Sequence, residues 1–308
     1  MEKKFVSAVI YVHNDEERIT GFLKRIVDVL KGSFEQYEVV LVDDACEDDT
    51  LLMVHDFISK ECAEGIFSVL HMGFYQGVEP SMNAGRDLTI GDFVFEFDDA
   101  GIDFEDALLM KVYEKMMEGY DIVSANPLGS QKVSSKLFYA LFNKTNRGNA
   151  KIGPERFRLV SRRAINRIKS SGKYIPYRKA VYANCGLNLA AVQYSPLEGM
   201  MRRRSRIKER GSLAFDSFVY FTNILERLSL ILSCLFLLTS VGIIVYSIVD
   251  RLANQTVVEG WASTMVVISL GFFGVFSLLT IVLKYLSVML NLVFKQQKYM
   301  VADVEKIK

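Results

Sequence analysis

Along residues 1–127, apolar positions switch repeatedly between the unbroken run of a buried strand and the three-to-four repeat of a helix. Phe5–Val12 is a short run rich in β-branched residues and reads as a buried strand. Ile19, Phe22, Leu23, Ile26, Val27 and Leu30 then recur at helical spacing, with Gly32 placed as a C-cap. The pattern continues with a strand at Tyr37–Val42, a helix from about Thr50 to Lys60 and a strand at Ile66–Leu70. A helix over about Pro80–Thr89, a strand at Phe93–Phe97, a helix at Phe104–Glu118 and a strand at Asp121–Ala125 follow. Strands alternating with helices predict an α/β domain, a parallel sheet covered on both faces. In such sheets ligands bind beyond the carboxyl ends of the strands. Further on, Lys132, Lys136 and Lys144 interleave with Leu137, Phe138, Leu141 and Phe142. That pattern suits an amphipathic helix on a membrane surface and equally an ordinary packed helix.

Two later segments follow a different rule. Leu228–Val249 and Trp261–Leu283, 22 and 23 residues long, contain no charged residue. As helices each covers ~33 Å or more, enough to cross a hydrocarbon core of about 30 Å. A short polar connection, Asp250–Ser263, makes the pair a hairpin. Arg202, Arg203, Arg204, Arg206, Lys208 and Arg210 precede it, Lys295, Lys298, Lys306 and Lys308 follow it, and the connection holds only Arg251. The positive-inside bias therefore places both termini in the cytoplasm. The apolar run Phe5–Val12 ends in polar residues without a small-residue cleavage site, so no signal peptide is expected there. Asn254-Gln255-Thr256 matches a glycosylation sequon, but in so short a loop the match is taken as chance.

Composition sharpens this picture. Half of the 308 residues are hydrophobic, and the formal net charge of +1 conceals a division. Residues 1–127 carry 10 Lys and Arg against 27 Asp and Glu, a balance of −17, whereas residues 128–210 carry 20 against 3, a balance of +17. Because the basic block runs straight into apolar sequence, an anionic membrane surface or lipid head group fits it better than nucleic acid. Cys46, Cys62, Cys185 and Cys234 form no CxxC pair, which argues against a zinc site and for a reducing compartment.

Paired acids follow two of the expected strands: Asp43-Asp44 after the second and Asp98-Asp99 after the fourth. Adjacent carboxylates repel unless a cation or donors lie between them, and oxygen ligands of this type suit Mg²⁺ or Mn²⁺ bridging phosphates. Solvated loop acids are the plainer reading of either pair alone. No GxxxxGK[ST] or GxGxxG is present, which disfavours a P-loop or dinucleotide fold. His13 and His71, near strand ends, are read as structural.

These segments resemble the family 2 glycosyltransferases. Ser7–Glu16 is similar to their S-V-V-I-P-V-Y-N-E-E opening, and Val42–Thr50 to V-D-D-G-S-x-D-x-T. Asn83–Arg86 with Gly91–Asp98 is similar to N-x-G…G-D-y-v-x-x-l-D. Phe157–Arg162 resembles the F-R-L-x-x-R of the polyprenyl-phosphate subgroup, which includes the dolichol-phosphate mannose synthase and bactoprenol glucosyltransferase types. Gly260–Ser263, Leu283–Leu286 and Lys298–Val301 fall where that subgroup has G-W-x-S, G-E-Y-L and P-Y-x-V. The chain departs from the pattern at Tyr11 for Pro, Ala100 for the second acid of D-x-D, Asn126 for an Arg, and Ser205-Arg206-Ile207 for S-K-Y.

The resemblance implies a GT-A, Rossmann-like nucleotide-sugar domain with a C-terminal two-helix transmembrane hairpin. It would be divided as 1–211 cytoplasmic transferase, 212–227 juxtamembrane amphipathic helix, 228–294 hairpin and 295–308 cytoplasmic tail. The activity implied is inverting transfer of a sugar from a UDP- or GDP-linked donor to a polyprenyl phosphate. Val12, Asn14, Glu16, Asp43, Asp44, Asn83 and Arg86 would bind the donor. Asp98, Asp99, Arg158 and Arg178 would be catalytic, with Asp98 and Asp99 holding Mg²⁺ or Mn²⁺. Arg162, Arg204 and Arg206 would bind the lipid phosphate, with Arg158 and Arg178 also among the cations expected to meet it, while Arg163, Arg167 and Arg210 are assigned to the solvated surface. The expected location is the cell membrane, with two spans. A homo-oligomer and a flippase partner are compatible with the sequence; nucleic acid is not expected. Because of Ala100, the alternative is a catalytically silent membrane partner that binds nucleotide-sugar or scaffolds a flippase.

Overall fold

A computed structural model of the chain describes residues 1–61, 65–129, 151–170, 177–197, 261–294 and 299–307, with isolated positions between 136 and 144 and between 231 and 249. The chain divides into two units, one formed by Met1–Ala214 with Gln296–Lys308 and the other by Phe215–Lys295.

In the first unit, β1 (Glu2–Val12), β2 (Phe34–Asp43), β3 (Ile66–Met72) and β4 (Phe93–Phe97) alternate with α1 (Glu16–Ser33), α2 (Thr50–Glu61) and α3 (Val78–Leu88). After α4 (Ala107–Met117) come β5 (Ile122–Pro127) and β6 (Phe157–Ser161). α5 (Arg162–Ser170), α6 (Arg178–Asn184) and β7 (Leu189–Tyr194) complete that stretch, and β8 (Val301–Ile307) returns after the second unit. The eight strands form one sheet in the order β7-β5-β6-β4-β1-β2-β3-β8.

Side-chain alternation along the central strands explains the layers. Val6, Ala8, Ile10 and Val12 of β1 point to the face covered by α1, α2 and α4, and pack with Phe22, Leu23, Val54 and Val112. Val9 and Tyr11 point to the other face, with Val78 and Met82 of α3 and Ile165 of α5. Two-sided burial is why these strands read as unbroken apolar runs rather than alternating ones. α3 approaches the sheet closely at Gly85, where a Cβ would stand 2.4 Å from Val42 Cγ2 and 2.6 Å from Val9 Cγ1.

The sheet is mixed, which corrects the expected all-parallel arrangement. β4 and β5 each pair antiparallel with β6, and β3 pairs antiparallel with β8. The 295–308 segment is therefore not a plain tail, since residues 301–307 form the edge strand of the first unit. α1 also runs through Gly32 to Ser33 and hands over directly to β2, so Gly32 does not cap it.

In the second unit the backbone of 261–294 forms one helix, α7. Among the described residues no helix is long and apolar enough to cross a membrane. The first expected span, 228–249, lies mostly outside those residues, and part of the side chains of α7 do too. The described α7 side chains include Phe272, Phe273, Phe276 and Leu283, each more than half exposed. The juxtamembrane segment 212–227 and most of the Lys132–Lys144 segment fall outside the described residues.

Candidate functional site

Register brings three strand ends together at the carboxyl edge. Val12 of β1 lies opposite Asp43 of β2, and Ile10 lies opposite Phe97 of β4. β1 therefore leads into His13-Asn14-Asp15, β2 into Asp44-Ala45 and β4 into Asp98-Asp99 side by side. Two non-glycine residues in these loops have positive φ, Asn14 and Ala45, both at 54°. The loops lock together: the Glu47 amide donates to Asn14 Oδ1 (2.9 Å), the Asp49 amide to Glu16 Oε2 (3.2 Å) and the Glu16 amide to Asp48 Oδ2 (3.3 Å).

Asp43 and Asp44 have different duties. Asp43 accepts the Cys46 amide (2.9 Å) and contacts His71 Nδ1 (2.9 Å), while His71 Nε2 lies 3.6 Å from Glu305 of β8. Asp44 is fully buried and accepts the Tyr11 hydroxyl (2.7 Å), the Gln76 amide (2.7 Å) and the Gly77 amide (2.8 Å). It anchors the turn before α3, where Gly77 has φ 88°, and does not present its carboxylate to a ligand. Tyr11 supplies one of the donors. Burial, followed by the hydrogen bond with Asp43, pushes the Cys46 thiol well up, so it stays protonated.

Beside Asp98 lies a buried ion-pair network. Arg178 donates from its amide and Nε to Glu79 (2.9 and 3.0 Å), and from its terminal nitrogens to Glu96 Oε2 (2.8 Å) and Asp98 Oδ1 (2.5 Å). Arg158 donates to Glu155 (2.9 Å), Glu96 Oε2 (3.2 Å) and Asp98 Oδ2 (3.1 Å). The Tyr182 hydroxyl donates to Glu96 Oε1 (2.7 Å) and accepts from Arg86 (3.0 Å). Burial opposes the charge on Arg178, but Asp98, Glu79 and Glu96 outweigh it and hold the guanidinium more firmly protonated than usual. Burial, then Glu96, pushes Tyr182 upward, so it remains a neutral donor.

Next to this network, Arg156 clamps Asp99 with two hydrogen bonds (3.2 and 2.7 Å) and reaches Asp103 through Nε (3.2 Å). Asp103 also accepts the Tyr194 hydroxyl (2.9 Å). Burial opposes the Arg156 charge, and Asp99 and Asp103 more than restore it.

Several expected contacts are corrected by these positions. Arg158 and Arg178 are 2% and 0% exposed, so they neutralise Asp98 from within and do not reach a lipid phosphate. Asn83 and Arg86 are buried beneath the site; neither side chain is open to a donor. Arg162 lies at the opposite edge of the sheet. Because β6 runs antiparallel, Ser161 pairs with Phe93 at the start of β4, and Arg162 binds the Gly91 carbonyl (2.8 and 2.9 Å). Val12 is fully buried and offers its carbonyl to the Asp44 amide (3.1 Å). Arg204 and Arg206 lie outside the described residues. The sequence reading missed Arg156, Glu79, Glu96 and Tyr182. Glu96 carried the one available signal, a charge inside the apolar run Phe93–Phe97, which demands a buried partner.

The resemblance noted in the sequence implies an ion at Asp98-Asp99, and the donor set does not fit one. Both Asp98 oxygens and both Asp99 oxygens accept guanidinium hydrogen bonds. Ala100, buried at 2% exposure, supplies no oxygen from its side chain. Among the described residues no group of three or more His, Cys, Asp or Glu side chains is arranged to hold a metal ion.

This sheet order, with acids gathered at its carboxyl edge, is that of a GT-A, Rossmann-like fold. Residues 7–183 match glycosyl transferase family 2, and the chain belongs to that family. An uncharacterized glycosyltransferase of Synechocystis sp. is 24% identical over 273 residues, covering 85% of this chain and 84% of that protein. The undecaprenyl-phosphate 4-deoxy-4-formamido-L-arabinose transferase of Aeromonas hydrophila is 28% identical over 139 residues, 44% of this chain and 42% of its own. The bactoprenol glucosyl transferase of Shigella phage SfX is 26% identical over 199 residues, 61% of this chain and 63% of its own. Among solved structures, glucosyl-3-phosphoglycerate synthase from Mycobacterium tuberculosis, in complex with Mn²⁺, UDP and phosphoglyceric acid, superposes with a TM-score of 0.50. Identity is 16%, with 70% of this chain and 76% of that one covered; the likeness is one of fold.

Proposed function

We propose that the chain transfers a sugar, with inversion, from a UDP- or GDP-linked donor to the phosphate of a polyprenyl phosphate at the cytoplasmic face of the cell membrane. One observation carries the reading. The chain leaves the sheet after β7, whose end Tyr194 pairs with Pro127, and re-enters at Met300, whose carbonyl accepts the Gly73 and Gln76 donors. The last strand before 215–295 thus ends, and the strand after it begins, at the edge that holds Asp43 and Asp98.

The exposed apolar side chains of α7 and the charge-free run at 228–249 support a two-span anchor, because water-facing apolar area on this scale is unfavourable. A two-span anchor would return the chain to the side it left, which agrees with a first unit built from Met1–Ala214 together with Gln296–Lys308. The names of the relatives that use undecaprenyl phosphate and bactoprenol support the acceptor class.

In this reading Asn14, Glu16 and Asp43 receive the nucleoside, and Asp98, held by Arg158 and Arg178, orients the donor sugar so that its anomeric carbon faces the acceptor. The acceptor phosphate, mostly dianionic at neutral pH with pKa₂ ≈ 6, needs no strong general base, so positioning and charge stabilisation are the enzyme's tasks. The basic juxtamembrane run, including Arg204 and Arg206, is the place proposed for that phosphate.

The test is incubation of the purified protein with a panel of labelled nucleotide-sugars and polyprenyl phosphate, followed by organic extraction. Label in the organic phase, reduced ~10²–10³-fold by Asp98→Asn, supports the reading. Label confined to free sugar or water-soluble product would refute it.

A further inference from the structure

We infer that Arg156 meets the leaving diphosphate with its remaining guanidinium N–H donors, where the D-x-D motif would place a divalent ion held by a second acid. The inference rests on the donor reading above. In the reaction, an oxygen of the acceptor phosphate dianion forms a bond to the anomeric carbon. The bond from that carbon to the donor's diphosphate oxygen breaks, and its electron pair leaves with the diphosphate. The acceptor becomes a monoanionic diester and the nucleoside diphosphate gains one negative charge, with no proton moved. Preorganised donors or a cation must receive that charge.

The geometry points to Arg156 for linked reasons. The position of the second acid is Ala100, so the turn has lost a ligand. Asp99 and Asp103, the remaining acids of the turn, are both committed to Arg156. Gly101 leaves room for the guanidinium: a Cβ there would lie 2.3 Å from an Arg156 terminal nitrogen, so a larger residue would push the end of that side chain aside. A guanidinium has five N–H donors; Asp99 and Asp103 take three, leaving two for phosphate oxygens, which a planar fork suits well. The Arg156 amide is itself pinned to the Ala125 carbonyl (2.8 Å) at the end of β5, so the charge stands on a fixed frame.

The experiment is calorimetric titration of UDP and GDP into the full-length protein in detergent, with EDTA and then with Mn²⁺, beside turnover under the same conditions. Expected are nucleotide affinity and turnover that change less than about threefold on chelation, and loss of turnover by roughly 10²–10³ in Arg156→Ala. Arg156→Lys should recover part of the loss, and Gly101→Ala, which displaces the guanidinium without removing it, should lower turnover as well. The double variant Ala100→Asp with Arg156→Ala should acquire a Mn²⁺ requirement, a readout that a merely structural arginine would not move; thermal melting checks that each variant folds. Wild-type affinity and turnover that vanish in EDTA and return with Mn²⁺ would overturn the inference, as would a normal rate in Arg156→Ala. Tight nucleotide binding without lipid product would refute only the acceptor assignment, leaving calorimetry to decide on Arg156. Failure of both nucleotides to bind under either condition would overturn the donor reading and this inference with it.

Discussion

The Asp44 carboxylate accepts three hydrogen bonds from residues as distant as Gly77, while Asp43 beside it meets a histidine and a loop amide. That acids gather after β2 and β4 was legible in sequence, because paired carboxylates after an apolar run stand out. Which acid is consumed internally was not legible, because its partners come from residues tens of positions away. The same holds for Arg158 and Arg178, whose types suit phosphate but whose carboxylates come from other elements. Removing Arg178 would leave Glu79, Glu96 and Asp98 short of a buried cation. Arg178→Ala is therefore expected to cost about 3–5 kcal/mol, measured by chemical denaturation followed by circular dichroism; a loss under ~1 kcal/mol would contradict the network. At Ala45 the positive φ of 54° is strained for a residue with a Cβ. Ala45→Gly is expected to stabilise by up to ~1 kcal/mol, and a lower melting temperature would count against that backbone conformation.

At the scale of elements, the first 127 residues were the easiest to read, because each strand is buried on both faces and each helix on one. β6 was harder: Phe157–Ser161 contains Arg158, and a charge within five residues obscures a strand until its carboxylate partners are known. β8 is short and largely exposed, with little apolar pattern to announce it. The start of α2 offers a pH test. Partial burial raises the Asp48 pKa, but hydrogen bonds from the Thr50 hydroxyl and amide and from the Glu16 amide outweigh it, and the carboxyl is held below its ordinary value. A carboxyl depressed in the folded state adds stability above its unfolded pKa, about 3.9, and loses it as pH falls through the folded value. Asp48→Asn should thus be less stable than wild type at pH 7, with the difference closing below pH ~4. A difference that is constant with pH would show that the charge contributes nothing.

Across the whole molecule, the proposed account joins an acidic transferase edge to a membrane segment through a basic stretch. The polarity of charge and the two apolar runs were legible because both are properties of composition. The return of the chain to the sheet through β8 was not, since it depends on pairing between Phe67 and Ile307, 240 positions apart. If 228–294 crosses the membrane twice, a cysteine introduced as Thr256→Cys in a cysteine-free background should react only with a thiol reagent applied from the non-cytoplasmic side. Reaction from the cytoplasmic side alone would rule out the two-span topology.

The central claim is that the acceptor is a lipid phosphate. It is tested most directly by offering purified protein equal amounts of polyprenyl phosphate, polyprenol and 3-phosphoglycerate with the preferred nucleotide-sugar, and identifying products by mass spectrometry. The account predicts one product, polyprenyl-phosphate sugar, formed one-for-one with released nucleoside diphosphate and absent with polyprenol. Glycosylated phosphoglycerate, or a glycosylated polyprenol lacking phosphate, would contradict it.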